Sequence, residues 1–141
     1  MKKENLVLFF LLLLKFSLPF LLSHPVYELH RDEYLYYEQG QHLSLGYLEN
    51  PPLIGILAAI SSFFGGGYFW VKFWPSLFGV LTLWITLKMV REWSGSFYAQ
   101  VLAALGLIVT AYLRIHFLFQ PNFLEIFIWT LASWCLLRYL K

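Results

Sequence analysis

Long apolar runs constrain the fold of this chain more than any other feature of its sequence. Hydrophobic residues make up 60% of the 141 residues, while charged residues make up only 13%. This leaves too few polar side chains to coat a soluble globule, and the aromatic content is too high for a disordered chain. The composition therefore predicts an all-α integral membrane protein, built as a polytopic helical bundle.

Four of these runs are predicted to be transmembrane helices, and the whole chain, 1–141, is expected to form one membrane unit. The predicted spans are 6–22, 69–87, 98–118 and 121–138, and an outer loop with short juxtamembrane helices occupies 24–67. The first run follows two lysines, as a signal peptide does. However, Lys15 interrupts it, and no small-residue pair suited to cleavage precedes His24. We therefore expect an uncleaved anchor.

A fifth apolar run, Leu53 to Phe64, is shorter than the roughly 20 residues that cross a bilayer. We expect it to lie at the membrane surface or to pack re-entrantly against neighbouring helices. The positive-inside rule supports this choice, because it then places the flanking cations in the cytoplasm. These cations are Lys2, Lys3, Lys88, Arg91, Arg138 and Lys141. The prediction is four crossings of a bacterial inner membrane, with both termini inside and the 24–67 loop on the periplasmic or outer face.

Charge and cysteine content narrow the range of partners. The net charge is only +2, and the basic residues stand at the ends of apolar runs rather than in a patch. This distribution argues against a nucleic-acid partner and leaves membrane lipid as the expected surroundings. The single cysteine, Cys135, lies within an apolar run, so we expect neither an internal disulfide nor a cysteine metal cluster.

Acids and tyrosines cluster in the predicted outer loop. Asp32 and Glu33 open a proline-free stretch that Gly46 closes, and Glu49 adds another carboxylate. Tyrosines accompany them at positions 34, 36, 37 and 47. Carboxylates and aromatic faces are what hydroxyl activation and sugar binding require. A more ordinary role for Asp32 is to cap the start of a short helix, and both interpretations stay open at this point.

Glu49 also raises the possibility of a metal site. It precedes Asn50-Pro51-Pro52, which predicts an extended turn leading into a helix. Glu49 and Glu33 together offer the oxygen ligands that a hard divalent cation takes, although solvated loop carboxylates are the alternative. The histidines lack the spacing and the cysteine partners of a structural zinc site.

Three cations lie within or next to the predicted spans. Lys15 and Lys72 are expected either to snorkel to the interface or to pair with an anionic ligand or an acid on another helix. Arg114 lies at the outer end of the third predicted span. It is placed there to meet a lipid phosphate or to act as an ordinary interfacial anchor.

The loop motifs resemble the N-terminal part of membrane glycosyltransferases of the GT-C type, in particular the dolichyl-phosphate-mannose protein mannosyltransferase and aminoarabinose transferase relatives. The shared pattern is Asp-Glu with following tyrosines, then Gly-Tyr, an acid and Pro-Pro-Leu. Here it is Asp32-Glu33-Tyr34-Leu35-Tyr36-Tyr37, Gly46-Tyr47, Glu49 and Pro51-Pro52-Leu53. A basic residue before Pro75-Ser76 and the turn Gln120-Pro121-Asn122 are also similar to the family.

The resemblance implies a function. Enzymes of this family transfer a sugar from a polyprenyl-phosphate carrier to an acceptor hydroxyl, on a protein or a glycolipid, at the non-cytoplasmic face. It implies Asp32 as the catalytic carboxylate, supported by Glu33, and Glu49 as an acid that helps to hold a divalent metal such as Mg, Mn or Zn. The substrate-binding residues expected beside them are Tyr36, Tyr37, Lys72 and Arg114.

The chain departs from the family pattern in two ways. Asn122 stands where many relatives carry an aspartate, and the family's proteins are several times longer. We therefore expect this chain to be only the beginning of such an enzyme, as a truncated product, a fragment or one piece of a split enzyme. By itself it is then expected to be inactive, with a missing C-terminal portion or a partner subunit.

Two other classes of function remain as alternatives. One is a small four-helix membrane protein that binds or translocates a lipid-linked sugar without catalysing transfer. The other is a structural subunit that packs beside a larger partner. Neither requires a particular carboxylate in the loop.

Overall fold

The computed structural model describes residues 3–23 and 28–140, and within these ranges all regular secondary structure is helical. The all-α prediction is therefore confirmed. The helices are α1 (Lys3–Leu21), α2 (Arg31–Glu38), α3 (Leu53–Phe63), α4 (Gly67–Glu92), α5 (Phe97–Val109), α6 (Tyr112–Ile115) and α7 (Pro121–Tyr139), with a 3-10 turn (Gln39–Gln41) after α2. His24, Lys2 and Lys141, which have predicted positions relative to the membrane, lie outside the described residues.

α4 is the central helix, and α1, α5 and α7 pack around it. Its 26 residues extend about 39 Å at 1.5 Å per residue. At one end of α4, Arg91 donates to Asn5 of α1 (3.3 Å), and the indole of Trp134 on α7 donates to Glu92 (3.0 Å). The start of α1 and the end of α7 meet there, and we name it the terminal end. α2 and α3 pack at the opposite end of α4, which we name the loop end.

Two of the described helices, α1 and α4, are long and apolar enough to span a membrane, with mean hydropathies of 1.8 and 1.4. They indicate a membrane protein by length and composition only, since soluble core helices and signal sequences share these properties. α7 matches the predicted segment 121–138 closely, but Asn122, Glu125 and Arg138 lower its hydropathy. The prediction of four spans is therefore not confirmed by this criterion.

The third predicted span, 98–118, is not one helix. α5 ends at Val109 after 13 residues, about 20 Å. The chain continues through the single turn of α6 and an irregular segment, 116–120, before α7 begins. The sequence marks the break only weakly, because apolar residues such as Leu113 and Ile115 alternate with Arg114 and His116 beyond it.

Lys15 of α1 donates hydrogen bonds to carbonyl groups that the break after α5 leaves without partners. The last carbonyl groups of a helix have no partners within the helix and need donors from elsewhere. Lys15 Nζ donates to Leu107 O (2.7 Å) and to Tyr112 O (3.3 Å), while Thr110 Oγ1 donates to Gly106 O (2.6 Å). A cation at a helix C-terminus also complements the helix dipole. Lys15 therefore bonds to the end of α5, rather than to an acid or to the interface.

A hydrophobic core at the loop end holds α3 against α4 and α7. Its buried members are Ile54, Leu57, Ala58, Val71, Phe119, Phe123 and Leu124. The fifth apolar run of the sequence forms α3, and its other face exposes Ile56 and Phe63. Gly40, in the turn after α2, allows a close approach to α3, since a Cβ there would lie 2.6 Å from Ala59 N. α2, the turn and α3 therefore pack as one layer over the loop end.

Candidate functional site at the loop end

The predicted acid cluster lies at the start of α2. His30 is the N-cap of this helix: its Nδ1 accepts from Asp32 N (3.3 Å), and Glu33 Oε2 accepts from His30 N (2.9 Å). This reciprocal arrangement is a capping box in which histidine takes the place of serine or threonine. The capping role considered for Asp32 is therefore wrong, and its carboxylate makes other contacts.

Glu33 is completely buried and is bonded at both carboxylate oxygens. Lys72 Nζ lies 2.6 Å from Oε1 and 2.7 Å from Oε2, and Phe119 N donates to Oε1 (2.8 Å). The Lys72 ammonium also donates to Phe117 O (3.1 Å). The side chains of Glu33 and Lys72 are 0% and 2% exposed. This ion pair ties α2 to α4 and to the 116–120 segment.

The contacts of Glu33 and Lys72 indicate that these two residues hold α2 in position. Each Glu33 oxygen accepts from two donors, Oε1 from Lys72 and Phe119 and Oε2 from Lys72 and His30. Of the alternatives considered for Lys72, pairing with an acid on another helix is the one found. In this arrangement the two charges satisfy each other, as buried charges must. They hold the start of α2 in place next to Asp32.

Of the two adjacent acids, Asp32 and Glu33, Asp32 is the accessible one, with 35% of its side chain exposed. Its Oδ2 accepts from Gln120 Nε2 (3.1 Å) and lies 3.6 Å from His30 Nδ1, and its Oδ1 accepts from Arg31 Nε (3.3 Å). Gln120 belongs to the segment before α7, 88 positions away in the chain. The carboxylate is therefore held by α2 on one side and by that distant segment on the other, with part of it open to solvent.

Tyr36 and Tyr37 lie on the same helix as these acids. Partial burial first, and then the negative charges of Glu49 and Asp32, raise the pKa of the Tyr36 phenol. Tyr36 therefore stays protonated at neutral pH and keeps its O–H as a donor near both carboxylates. Tyr37 Oη accepts from Ser62 Oγ (3.0 Å), which fastens α2 to α3. Both tyrosines pack against the core at the loop end, and only Tyr37 also bonds to α3.

Arg114 and the nearby His116 have different surroundings. Arg114 lies exposed on α6, outside the network around Glu33. His116 is 1% exposed and packs on α4 at Gly79, where a Cβ would come within 2.9 Å of its ring. Of these two side chains, only that of Arg114 is therefore accessible from outside the protein.

The structure does not bring together the metal ligands expected from the sequence. Glu49 is exposed, and Glu33, its expected partner, is bonded to Lys72 instead. Among residues 3–23 and 28–140, no three His, Cys, Asp or Glu side chains are grouped closely enough to hold a metal ion. A bound Mg, Mn or Zn ion therefore stays an expectation from the family resemblance.

The roles of two residues of the site were not predicted from the sequence. His30 lies next to the acids, but its role as the cap of α2 was not expected, because histidine is an unusual helix cap. Gln120 carried a partial signal, since it precedes Pro121 in a polar turn at the start of an apolar run. No local sequence pattern indicates that this turn forms a hydrogen bond with Asp32.

Comparison with known proteins adds no relative to this description: no protein family, curated protein or solved structure matches the chain. The similarity to GT-C glycosyltransferases therefore depends on short sequence motifs alone. A functional assignment depends on these motifs and on the geometry around Asp32.

Proposed function

We propose that this chain is the N-terminal portion of a GT-C type glycosyltransferase, which moves a sugar from a polyprenyl-phosphate donor to an acceptor hydroxyl on the non-cytoplasmic face of a membrane. The observation that carries the proposal is the state of Asp32. Its carboxylate is partly exposed and held in place by Gln120 (3.1 Å), while the neighbouring Glu33 is buried in an ion pair. A fixed but accessible carboxylate suits proton transfer from a substrate hydroxyl.

Asp32 acts as the general base in the proposed reaction. It accepts the proton of the acceptor hydroxyl while the hydroxyl oxygen forms a bond to the anomeric carbon of the donor sugar. The bond between that carbon and the phosphate oxygen breaks, and the polyprenyl phosphate leaves with the electron pair. Attack from the side opposite the phosphate inverts the configuration of the sugar, as a single base without a covalent intermediate requires.

Other side chains of the loop end have supporting parts in this proposal. Glu33 and Lys72 position the start of α2 and thereby Asp32. The protonated Tyr36 is a hydrogen-bond donor for a sugar hydroxyl near the two acids. Arg114, exposed on α6, is the cation proposed to meet the negative charge of the lipid phosphate. These parts follow from the family resemblance together with the positions of the side chains.

The proposed topology is four membrane crossings by α1, α4, α5 with α6, and α7, in a bacterial inner membrane with the loop end periplasmic. Two contacts support it. Gln120 bonds to Asp32 at the loop end (3.1 Å), and Arg138 lies 3.8 Å from Glu92 at the terminal end. The segment before α7 and the end of α7 are therefore at opposite ends of α4. Lys88 and Arg91 belong to the terminal end, where the positive-inside rule expects cations.

The reaction is tested by replacing Asp32 in the full-length protein. Membranes containing the protein are supplied with undecaprenyl phosphate linked to radiolabelled mannose or aminoarabinose, and the release of undecaprenyl phosphate is measured. Asp32→Asn keeps the size of the side chain but removes the base, so we expect the rate to fall at least about 100-fold.

The matched control is Glu38→Gln on the same helix. Its carboxylate is 69% exposed and lies away from Glu33 and Gln120, so transfer should continue at the wild-type rate. Equal rates for the wild type and Asp32→Asn would contradict the proposal. Binding of the labelled lipid by both proteins without any transfer would instead favour a protein that binds or translocates the lipid-linked sugar.

A further inference from the structure

A cavity of about 160 Å³ lies at the terminal end, between α1 and α4. Two stripes of residues line it, and each follows the i, i+3, i+4, i+7 spacing of a single helix face. From α1 these residues are Asn5, Leu8, Phe9 and Leu12, and from α4 they are Trp84, Leu87, Lys88 and Arg91. The cavity is therefore formed by the two described helices that are long and apolar enough to span a membrane.

The polar and apolar residues of this lining are separated along the helices. Asn5 and Arg91 lie at the terminal end, whereas Leu12 and Trp84 lie about 10 Å further into their helices, at 1.5 Å per residue. α1 and α4 run in opposite directions, so both helices place their polar residues at the same end. The cavity therefore changes from polar to apolar toward the middle of the molecule, as a phospholipid does from its headgroup to its acyl chains.

The charge of this lining is positive. Lys88 and Arg91 are its charged members, and none of the described residues that line it is an acid. The Lys88 ammonium lies over the Trp84 ring, 5.1 Å from its centre. Arg91 donates to two neutral amides, Asn5 Oδ1 (3.3 Å) and Gln100 Oε1 (3.0 Å). Along the described chain, neither cation forms an ion pair with a carboxylate, so both positive charges are left for a ligand.

The acids of the terminal end lie elsewhere. Glu92 accepts from the indole of Trp134 (3.0 Å) and lies 3.8 Å from Arg138, so its carboxylate is turned toward α7. Glu4 is exposed in the first turn of α1 and does not line the cavity. The counter-charge that suits the cavity is therefore that of a bound anion.

The orientation of Arg91 indicates an anionic ligand independently of its charge. Its Nε donates to Gln100, and its Nη2 donates to Asn5. Gln100 is buried, so the first of these bonds is anchored inside the protein. A guanidinium carries five N–H donors in a rigid fork, so the two bonds orient the group and leave donors for a further acceptor. Arg91 is therefore preorganised to bind an anion with several oxygen atoms.

We propose that this cavity binds the phosphodiester group of an anionic phospholipid, in the leaflet at the terminal end. Arginine binds phosphate oxygens through its fork, and lysine adds a point charge. Basic pockets between transmembrane helices are typical binding sites for anionic headgroups. Phe9 and Trp84 are exposed, so the acyl chains can lie along them. This site is separate from Asp32 and does not depend on glycosyl transfer.

An anionic phospholipid fits this lining better than two related ligands do. Inorganic phosphate gains nothing from the apolar walls at Leu8, Phe9 and Leu12. Phosphatidylethanolamine carries an ammonium group close to its phosphate, and Lys88 and Arg91 repel that group. The combination of two cations, a preorganised guanidinium and an apolar wall is the observation on which the choice depends.

Binding is measured by native mass spectrometry on the purified chain, in a neutral detergent that contains equal amounts of phosphatidylglycerol and phosphatidylethanolamine with identical acyl chains. We expect the wild type to retain phosphatidylglycerol preferentially. In a titration with this lipid, the double variant Lys88→Gln/Arg91→Gln should bind it at least about tenfold more weakly, which corresponds to about 1.4 kcal/mol. Circular dichroism and gel filtration show whether each variant folds, and the two single variants provide the measurement if the double variant does not.

The matched control is Lys3→Gln/Arg138→Gln. It removes two exposed positive charges from the same end of the protein, outside the cavity, and should bind phosphatidylglycerol as the wild type does. Equal weakening in the two double variants would overturn the proposal, because a general attraction to anionic lipid would then explain the binding. Unchanged binding by Lys88→Gln/Arg91→Gln would contradict it directly.

Two competing ligands distinguish the source of the anion. Inorganic phosphate and dodecanoate are each added at the same concentration as phosphatidylglycerol, and we expect neither to displace the lipid. Displacement by inorganic phosphate would assign the cavity to a soluble anion, and displacement by dodecanoate would assign it to carboxylate amphiphiles. Either result would overturn the proposal, as would equal retention of phosphatidylethanolamine.

Discussion

Asp32 and Glu33 are adjacent residues of α2, but their carboxylates have opposite surroundings. Successive side chains of a helix are about 100° apart around its axis, so that one can point at α4 while the next lies on the flank. Glu33 is accordingly 0% exposed, whereas Asp32 is 35% exposed. At the scale of single residues, the Asp-Glu pattern thus combines an accessible acid with a buried anchor that fixes it.

Breaking the buried ion pair should destabilise the protein strongly. Glu33→Gln leaves the Lys72 ammonium buried without its counter-ion, so we expect the free energy of unfolding to fall by about 3–5 kcal/mol. The measurement is denaturant-induced unfolding in detergent, followed by tryptophan fluorescence.

Two comparisons test this explanation. Glu38→Gln, on the exposed side of the same helix, should change the stability by no more than about 0.5 kcal/mol. The double variant Glu33→Gln/Lys72→Met should lose less stability than Glu33→Gln alone, because no buried charge is left unpaired. Equal stability of Glu33→Gln and Glu38→Gln would show that the pair does not anchor α2.

At the scale of the elements, two short segments are fixed by their packing rather than by their own length. α3 has 11 residues and the 3-10 turn has three, too few for stable helices on their own in water. Their contact is close because Gly40 faces Ala58 and Ala59. The layer of α2 and α3 over the loop end therefore depends on small residues at this crossing.

Gly40→Ala should weaken this contact. The added Cβ would meet Ala59 N at 2.6 Å and Ala58 Cβ at 2.7 Å, and backbone atoms cannot move aside cheaply. We expect a loss of about 1–3 kcal/mol in the free energy of unfolding, the usual effect of overpacking. Gly46→Ala is the matched control, since a Cβ there meets nothing within 4 Å. If both variants unfold at the same denaturant concentration, the close approach is not important for stability.

At the scale of the whole molecule, α4 connects the two ends. It pairs with α2 through Lys72 at the loop end and contacts α1 and α7 through Arg91 and Glu92 at the terminal end. α5 is too short to cross a bilayer as one helix, and α6 with the 116–120 segment completes the distance to α2. In the proposed topology of four crossings, the Asp32 site therefore lies on the non-cytoplasmic side of the membrane.

Cysteine labelling distinguishes the proposed four crossings from two. In a Cys135→Ser background, single cysteines replace Ser44, Asn122 or Tyr98, all of which are exposed. With four crossings, a membrane-impermeant maleimide should label positions 44 and 122 in intact spheroplasts, and position 98 only after permeabilisation. Protection of position 122 in intact spheroplasts would instead show that the chain after α4 stays in the cytoplasm.

Much of the helical framework could be predicted from local pattern. The apolar runs gave the approximate positions of α1, α3, α4 and α7, because hydropathy depends on the residues themselves. The clustering of Asp32, Glu33 and the tyrosines before α3 indicated where a site would lie. The break at Val109 was not predicted, because no glycine or proline marks it and the carbonyl group of Leu107 is satisfied by Lys15 from another helix.

By itself, the sequence determined an all-helical, largely apolar chain with a polar loop rich in acids, since these properties depend on composition and on neighbours along the chain. Only the tertiary structure decided which acid is buried and which is accessible. Besides their neighbours His30 and Arg31, Glu33 and Asp32 have three long-range partners. These are Lys72, Phe119 and Gln120, which lie between 39 and 88 positions away in the chain. The partner of a charge is set by the packing of distant segments, which no local pattern records.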